Sequence, residues 1–185
     1  MESKQHVCPW WAGYFLINPL RKLFQDPYKI LTPFITPGMK IVDYGSAMGY
    51  FSLPLAKITG NSGKVYCMDI QQKMLGKLVE RAGKARLGSV IEPVLIDENM
   101  NYSRFYDQID FAALFMVVHE VPDKGFLFKQ LFNMLKSGSS MLIAEPRGHV
   151  SMKEFEQSVN LAIQEGFKKG NPVKVSSCRG IVLIK

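Results

Sequence analysis

The chain has 185 residues, of which 47% are hydrophobic and 21% charged, and it carries a formal net charge of +7. Such values suit one globular domain with a real core and exclude a disordered polyelectrolyte. No apolar run approaches the roughly 18 residues of a membrane span, and the first residues do not read as a signal peptide.

Residues 1–38 form a segment of their own. CPWWAGYFLINPLRKLF crowds aromatics into a helix-like stretch broken at Pro19, and Pro27, Pro33 and Pro37 punctuate the remainder of the segment. This is expected to be a helical cap. It reads as a helix packed on the domain, as a lid, or, through Trp10, Trp11, Tyr14 and Phe15 beside Arg21 and Lys22, as a peripheral membrane contact.

Strand-like and helix-like stretches then alternate. Strands are predicted at 40–44, 64–68, 90–96, 109–116 and 139–145, and helices at 48–59, 71–86, 123–136 and 151–166. Residues 97–108 are polar and irregular. Alternation of this kind argues for a parallel sheet with helices on both faces. Pro54 is compatible with a helix only near its start, so the first helix should begin around residues 49–52. After Gly166, Gly170 and Pro172 the chain reads PVKVSS and GIVLIK around Cys178-Arg179-Gly180, an antiparallel hairpin.

Chemistry concentrates at strand ends. KIVDYGSAMGYFSLPLA (residues 40–56) is a strand closing on Asp43, a small-residue turn and a helix start. Gly45 and Gly49 permit a sharp turn and close approach of a ligand. Asp69 ends the second strand twenty residues after Gly49, where a carboxylate can accept bonds from two ribose hydroxyls. The basic cluster Lys73, Lys77, Arg81, Lys84 and Arg86 lies largely on one helical face and reads as solvated surface, without the interleaved aromatics of a nucleic-acid site. Cys8, Cys67 and Cys178 show neither disulfide nor zinc-site spacing. No metal is therefore expected, and the setting reads as reducing and cytoplasmic.

VDYGSAMGYFSLPLA followed by VYCMD resembles the first two motifs of the class I S-adenosylmethionine-dependent methyltransferases, with Ala47 at the place of a middle glycine. The resemblance spans roughly residues 38–185. It implies an α/β, doubly wound, seven-stranded, mostly parallel sheet with an antiparallel C-terminal strand, and S-adenosyl-L-methionine as cofactor. It further implies that Asp43 faces the donor's ammonium, that Gly45, Ala47 and Gly49 line its methionine moiety, and that Asp69 binds the ribose. Ile70 would pack on the adenine, Asp97 would accept from its amino group, and Phe115 with Met116 would stand near the sulfonium.

Acceptor-side candidates lie after the fourth and fifth strands. His119 can orient an acceptor or take its proton. Glu145, Arg147 and His149 bunch on one crevice loop, where Arg147 can hold an anion or pair with Glu145. Glu120 and Asp123 read as helix caps. The expected function is methyl transfer to a small molecule. RNA, DNA or metalloid methylation and a non-catalytic donor-binding module stay as alternatives. A nicotinamide-linked oxidoreductase is disfavoured, because Tyr50 stands where its third glycine belongs.

Overall fold

The structure is a computed structural model that describes residues 9–13, 17–97 and 100–185. Seven strands form one sheet: β1 (Lys40–Tyr44), β2 (Lys64–Asp69), β3 (Ile91–Leu95), β4 (Ile109–Phe115), β5 (Leu135–Pro146), β6 (Lys168–Val173) and β7 (Cys178–Ile184). Their order is β3-β2-β1-β4-β5-β7-β6. The first five pair in parallel, and β7 lies antiparallel between β5 and β6. This is the doubly wound sheet with antiparallel C-terminal strands that the sequence implied.

The helices are α1 (Pro27–Leu31), α2 (Ser52–Thr59), α3 (Gln72–Lys84), α4 (Lys124–Met134) and α5 (Met152–Gln164). Alternate residues of each strand face opposite sides, and both sides are covered. Ile41, Val65, Cys67 and Phe111 pack with α1, α2 and α3 through Leu31, Leu55 and Leu78. On the other side, Val42, Met68, Leu114 and Ile143 pack with α4 and α5 through Phe128, Leu131 and Phe155. The helix starts are chemically marked. Asp123 Oδ1 accepts from Phe126 N at 2.8 Å to begin α4. Ser151 and Glu154 exchange bonds at 3.2 and 2.8 Å to begin α5. Pro93 falls in β3, an edge strand, where a missing N–H is tolerated.

Several stretches differ from expectation. The helix predicted to run to 136 stops at Met134, because Leu135 turns extended and pairs with Ile109, which starts β5 early. The strand predicted at 172–177 begins at Lys168 instead: Gly166 (φ +110°) ends the preceding helix abruptly, Phe167 is buried, and Lys169 already pairs with Leu183. Residues 102–105 form a 3-10 turn capped by Asn101 within the stretch expected to be irregular. In the N-terminal segment the described residues make short turns: Trp10–Ala12 and Pro19–Leu23 are 3-10, and Pro27–Leu31 is α-helical. Pro19 starts a turn there, with the Asn18 side chain accepting from Leu20 N. Cys8, Tyr14 and Phe15 lie outside the described residues.

Candidate active site

Strand order reverses between β1 and β4, and ligand crevices of open α/β sheets form at such points beyond the carboxyl ends of the strands. A cavity of about 900 Å³ opens here. Its lining includes Asp43, Gly45, Ala47, Asp69, Ile70, Asp97, Phe115, His119 and His149, which the sequence had singled out separately.

The donor side is built on two buried carboxylates. Asp43, 2% exposed, accepts from Ser52 Oγ at 2.5 Å. Burial pushes its carboxyl up to about 7; the Ser52 bond opposes that rise and the charge of Asp69 adds to it. Asp69 ends β2 and ties two backbones together. Its Oδ2 accepts from Ala47 N and its Oδ1 from Gln71 N, both at 2.8 Å. Burial raises this carboxyl too, against those backbone bonds. The Ile70 N–H adds a third backbone donor to this carboxylate, which has room for about four.

The loop between the two acids is fixed by packing. Gly45 N and Ser46 N both donate to Met68 O, at 2.9 and 3.0 Å. Gly45 has φ +73°, and a Cβ there would sit 2.4 Å from Val117 Cγ2. Its missing side chain thus makes room for the segment after β4. Gly49 (φ +80°) forms the turn but does not line the cavity; a Cβ on it would meet Leu53 and Leu78. Ala47 holds φ +46°, a left-handed conformation uncommon for a residue with a Cβ.

Aromatic rings close the wall between β1 and β4. Phe115 stacks on Phe51 with centroids 3.6 Å apart, so one of its faces is already covered. Met116 holds φ +58° and turns the chain out of β4. Across from it stands Arg21, from the N-terminal segment. Its guanidinium lies 4.3 Å over the Tyr50 ring, donates to Met116 Sδ at 3.4 Å and to Gln25 Oε1 at 2.9 Å, and has its pKa lowered by burial.

On the acceptor side, Glu145 is 1% exposed at the end of β5. Oε1 accepts from Val117 N and Val118 N at 3.0 and 3.1 Å; Oε2 accepts from His119 N at 3.2 Å and lies 2.5 Å from His119 Nδ1. These four donors fill a carboxylate's capacity. The Glu145 bond raises the His119 pKa, burial lowers it, and the charges of Glu145 and Glu120 raise it further. The His149 ring centroid lies 6.3 Å from that of His119.

Arg147 corrects the sequence reading. It is exposed and outside the cavity lining: its Nε donates to Cys178 O at 3.1 Å, because the turn after β5 aims it at β7. The lining guanidinium is that of Arg21, which lies in the segment set apart as a cap. Glu120 and Asp123 both line the cavity, and Asp123 also caps α4. The basic face of α3 is also less free than expected, since Lys77 and Lys84 both pair with Glu80 and Arg81 donates to Met48 O.

Sequence reasoning gave Ser46 no role in the site and read Arg21 only as part of a membrane contact. Among the described residues, Ser46 Oγ is the buried side-chain polar atom without a partner, and it lies in the cavity lining. A Gly-Ser-Ala loop was a signal for it. No sequence signal placed Arg21 in the cavity, because nothing local ties residue 21 to β1. No helix among the described residues is long and apolar enough to cross a membrane.

Known proteins share this architecture. A structure from Aquifex aeolicus described as a SAM-dependent methyltransferase superposes with a TM-score of 0.85 at 23% identity, covering 96% of this chain and 99% of that one. Fibrillarin from Aeropyrum pernix, solved with natively bound S-adenosyl-L-methionine, gives a TM-score of 0.63 at 17% identity over 94% of this chain and 76% of its own. In sequence, the ubiquinone/menaquinone biosynthesis C-methyltransferase UbiE of Haemophilus ducreyi is 29% identical over 112 residues, 60% of this chain and 42% of that protein. UbiE of Shewanella oneidensis is 25% identical over 156 residues, 78% of this chain and 60% of its own length. The chain thus spans about half the length of these curated relatives. A family model described as a methyltransferase domain matches residues 35–175, most of the chain, and the chain belongs to that methyltransferase family.

Proposed function

We propose that this chain transfers a methyl group from S-adenosyl-L-methionine to a small molecule. The observation that carries the reading is Asp69: a buried carboxylate at the end of β2, held by backbone N–H groups and with acceptor capacity left, beside a loop whose Ser46 hydroxyl has no partner among the described residues. These groups fit an adenosyl donor. Asp69 would hold the ribose hydroxyls, Ile70 and Asp97 the adenine, and Asp43 the ammonium, with Ser46 and Ala47 along the methionine moiety.

The donor, when bound, supplies an activated methyl on a sulfonium that leaves as a neutral thioether. The protein's task is alignment and exclusion of water, for which the apolar wall of Phe51, Phe115 and Tyr50 is suited. Arg21 supplies a cation for an anionic group of the acceptor. Calorimetric titration with S-adenosylhomocysteine tests the reading: saturable one-site binding is expected, and no binding overturns it.

Two finer features belong to the same proposal. A reducing, cytoplasmic setting agrees with Cys67 and Cys178 being free thiols. Exposed Trp11, Leu20, Leu23 and Phe24 beside Lys22 support peripheral contact with an anionic lipid surface, which co-sedimentation with anionic vesicles measures. The pairing of Lys77 and Lys84 with Glu80 leaves α3 poorly suited to nucleic acid.

A further inference from the structure

We infer that His119 is the general base of the methyl transfer, held for that role by Glu145, and that the acceptor is therefore a weak acid that loses a proton as it is methylated. The inference rests on the methyl-transfer reading above and adds the residue that moves the proton.

The geometry fixes the tautomer. Glu145 as a carboxylate can only accept, so the 2.5 Å contact places the proton of neutral His119 on Nδ1. The lone pair is then on Nε2. Among the described residues Nε2 makes no hydrogen bond; its nearest charged neighbour is Glu120 Oε1 at 4.0 Å. The ring lines the cavity with its side chain 26% exposed, and Phe115 and Met116 line the same cavity.

Glu145 is pinned independently of the histidine. Backbone N–H groups of Val117, Val118 and His119 hold both its oxygens, so the carboxylate cannot swing away when the imidazole gains charge. A buried carboxylate with three backbone anchors and one imidazole is a positioning device that a cap or a surface ion pair does not need. The other groups facing the ring are Glu120 on the segment leading into α4, Lys124 at the start of α4, His149 after β5, and Glu154 at the start of α5.

In the step, Nε2 takes the acceptor's proton and the freed lone pair forms a bond to the methyl carbon. The methyl–sulfur bond breaks with its electron pair going to sulfur, which leaves as a neutral thioether. The proton stays on the imidazolium, beside Glu145, until solvent removes it. Only the neutral imidazole can act, so transfer rises with pH through the His119 pKa. That limb lies above the ordinary imidazole range, because the Glu145 bond is the largest influence.

The test uses the full chain, S-adenosylmethionine, and a panel of hydroxyl acceptors (catechol, 1,4-dihydroxynaphthalene, 2-naphthol) against nicotinamide, which is methylated without losing a proton. Transfer to at least one hydroxyl acceptor is expected, with none to nicotinamide. His119→Asn keeps an amide N–H toward Glu145 but has no Nε2 base. It should lower kcat about 10²- to 10⁴-fold while S-adenosylhomocysteine affinity changes less than about threefold. Glu145→Gln should move the rising limb of the pH profile, and the His119 titration followed by proton NMR, to lower pH together. Should Glu145→Gln fail to fold, the His119→Asn split between kcat and donor affinity and the wild-type NMR titration still decide.

Donor binding without transfer to any hydroxyl acceptor, or full activity of His119→Asn, overturns the base and leaves the donor site standing. Absence of donor binding overturns both.

Discussion

Replacement of Asp69 by Asn separates ligand binding from folding more cleanly than removal of the side chain. In the wild-type protein the carboxylate holds the backbone N–H groups of Ala47 and Gln71, and that of Ile70 beside them. Alanine would orphan all of these donors, whereas asparagine keeps one oxygen and sets its amide against the Ala47 or the Gln71 N–H. Losing one charge-assisted bond costs about 1.5–3 kcal/mol of stability. The two hydroxyl contacts of a ribose on the same carboxylate are worth roughly 2–4 kcal/mol together, which corresponds to about 30- to 1000-fold in affinity. Asp69→Asn should therefore lower the thermal midpoint by several degrees and weaken S-adenosylhomocysteine by at least about 30-fold. Calorimetry well below the melting transition separates the two effects. Near-native affinity in the folded variant would refute the assignment of Asp69 to the ribose.

The packing and the buried charge lead to three further outcomes. Asp43 is raised from 3.8 to about 7, so the folded state binds its proton more tightly than the unfolded one between those values, and stability falls as pH rises through that window. His119, also raised, acts in the same direction, so the difference between wild type and Asp43→Asn in denaturant melts across about pH 4 to 8 isolates Asp43; it should reach a few kcal/mol, and parallel curves would count against the burial argument. Gly45→Ala places a methyl 2.4 Å from Val117 Cγ2 at a positive φ and should cost about 1–3 kcal/mol in a urea melt, with much of it restored by the further change Val117→Ala. Gln25→Ala removes bonds to Ser176 O at 2.7 Å and to Arg21 Nε at 2.9 Å; a loss of about 1–3 kcal/mol is expected, read as a lower urea midpoint, and an unchanged midpoint would mean that the N-terminal segment is not held by this residue.

The sheet and the donor loop were legible in the order of residues alone. Alternation of apolar runs with helical spacing marks which faces are buried, and the strand-end positions of Asp43 and Asp69 put both carboxylates at one edge, since parallel strands end together. Cap residues such as Asp123 and Ser151 can be read for the same reason: their chemistry acts on N–H groups two or three residues away. Glu145 and Arg147 show the limit. They are two residues apart, one at the end of β5 and the other on the turn that follows, yet one is buried against three backbone donors and the other points outward to Cys178 O. That difference arises in three dimensions, because the partners come from the end of β4 and from β7. Folding likewise brings Arg21 over Tyr50 and seats Val117 where Gly45 has no side chain, for these contacts join positions far apart in the chain and leave no periodic trace along it.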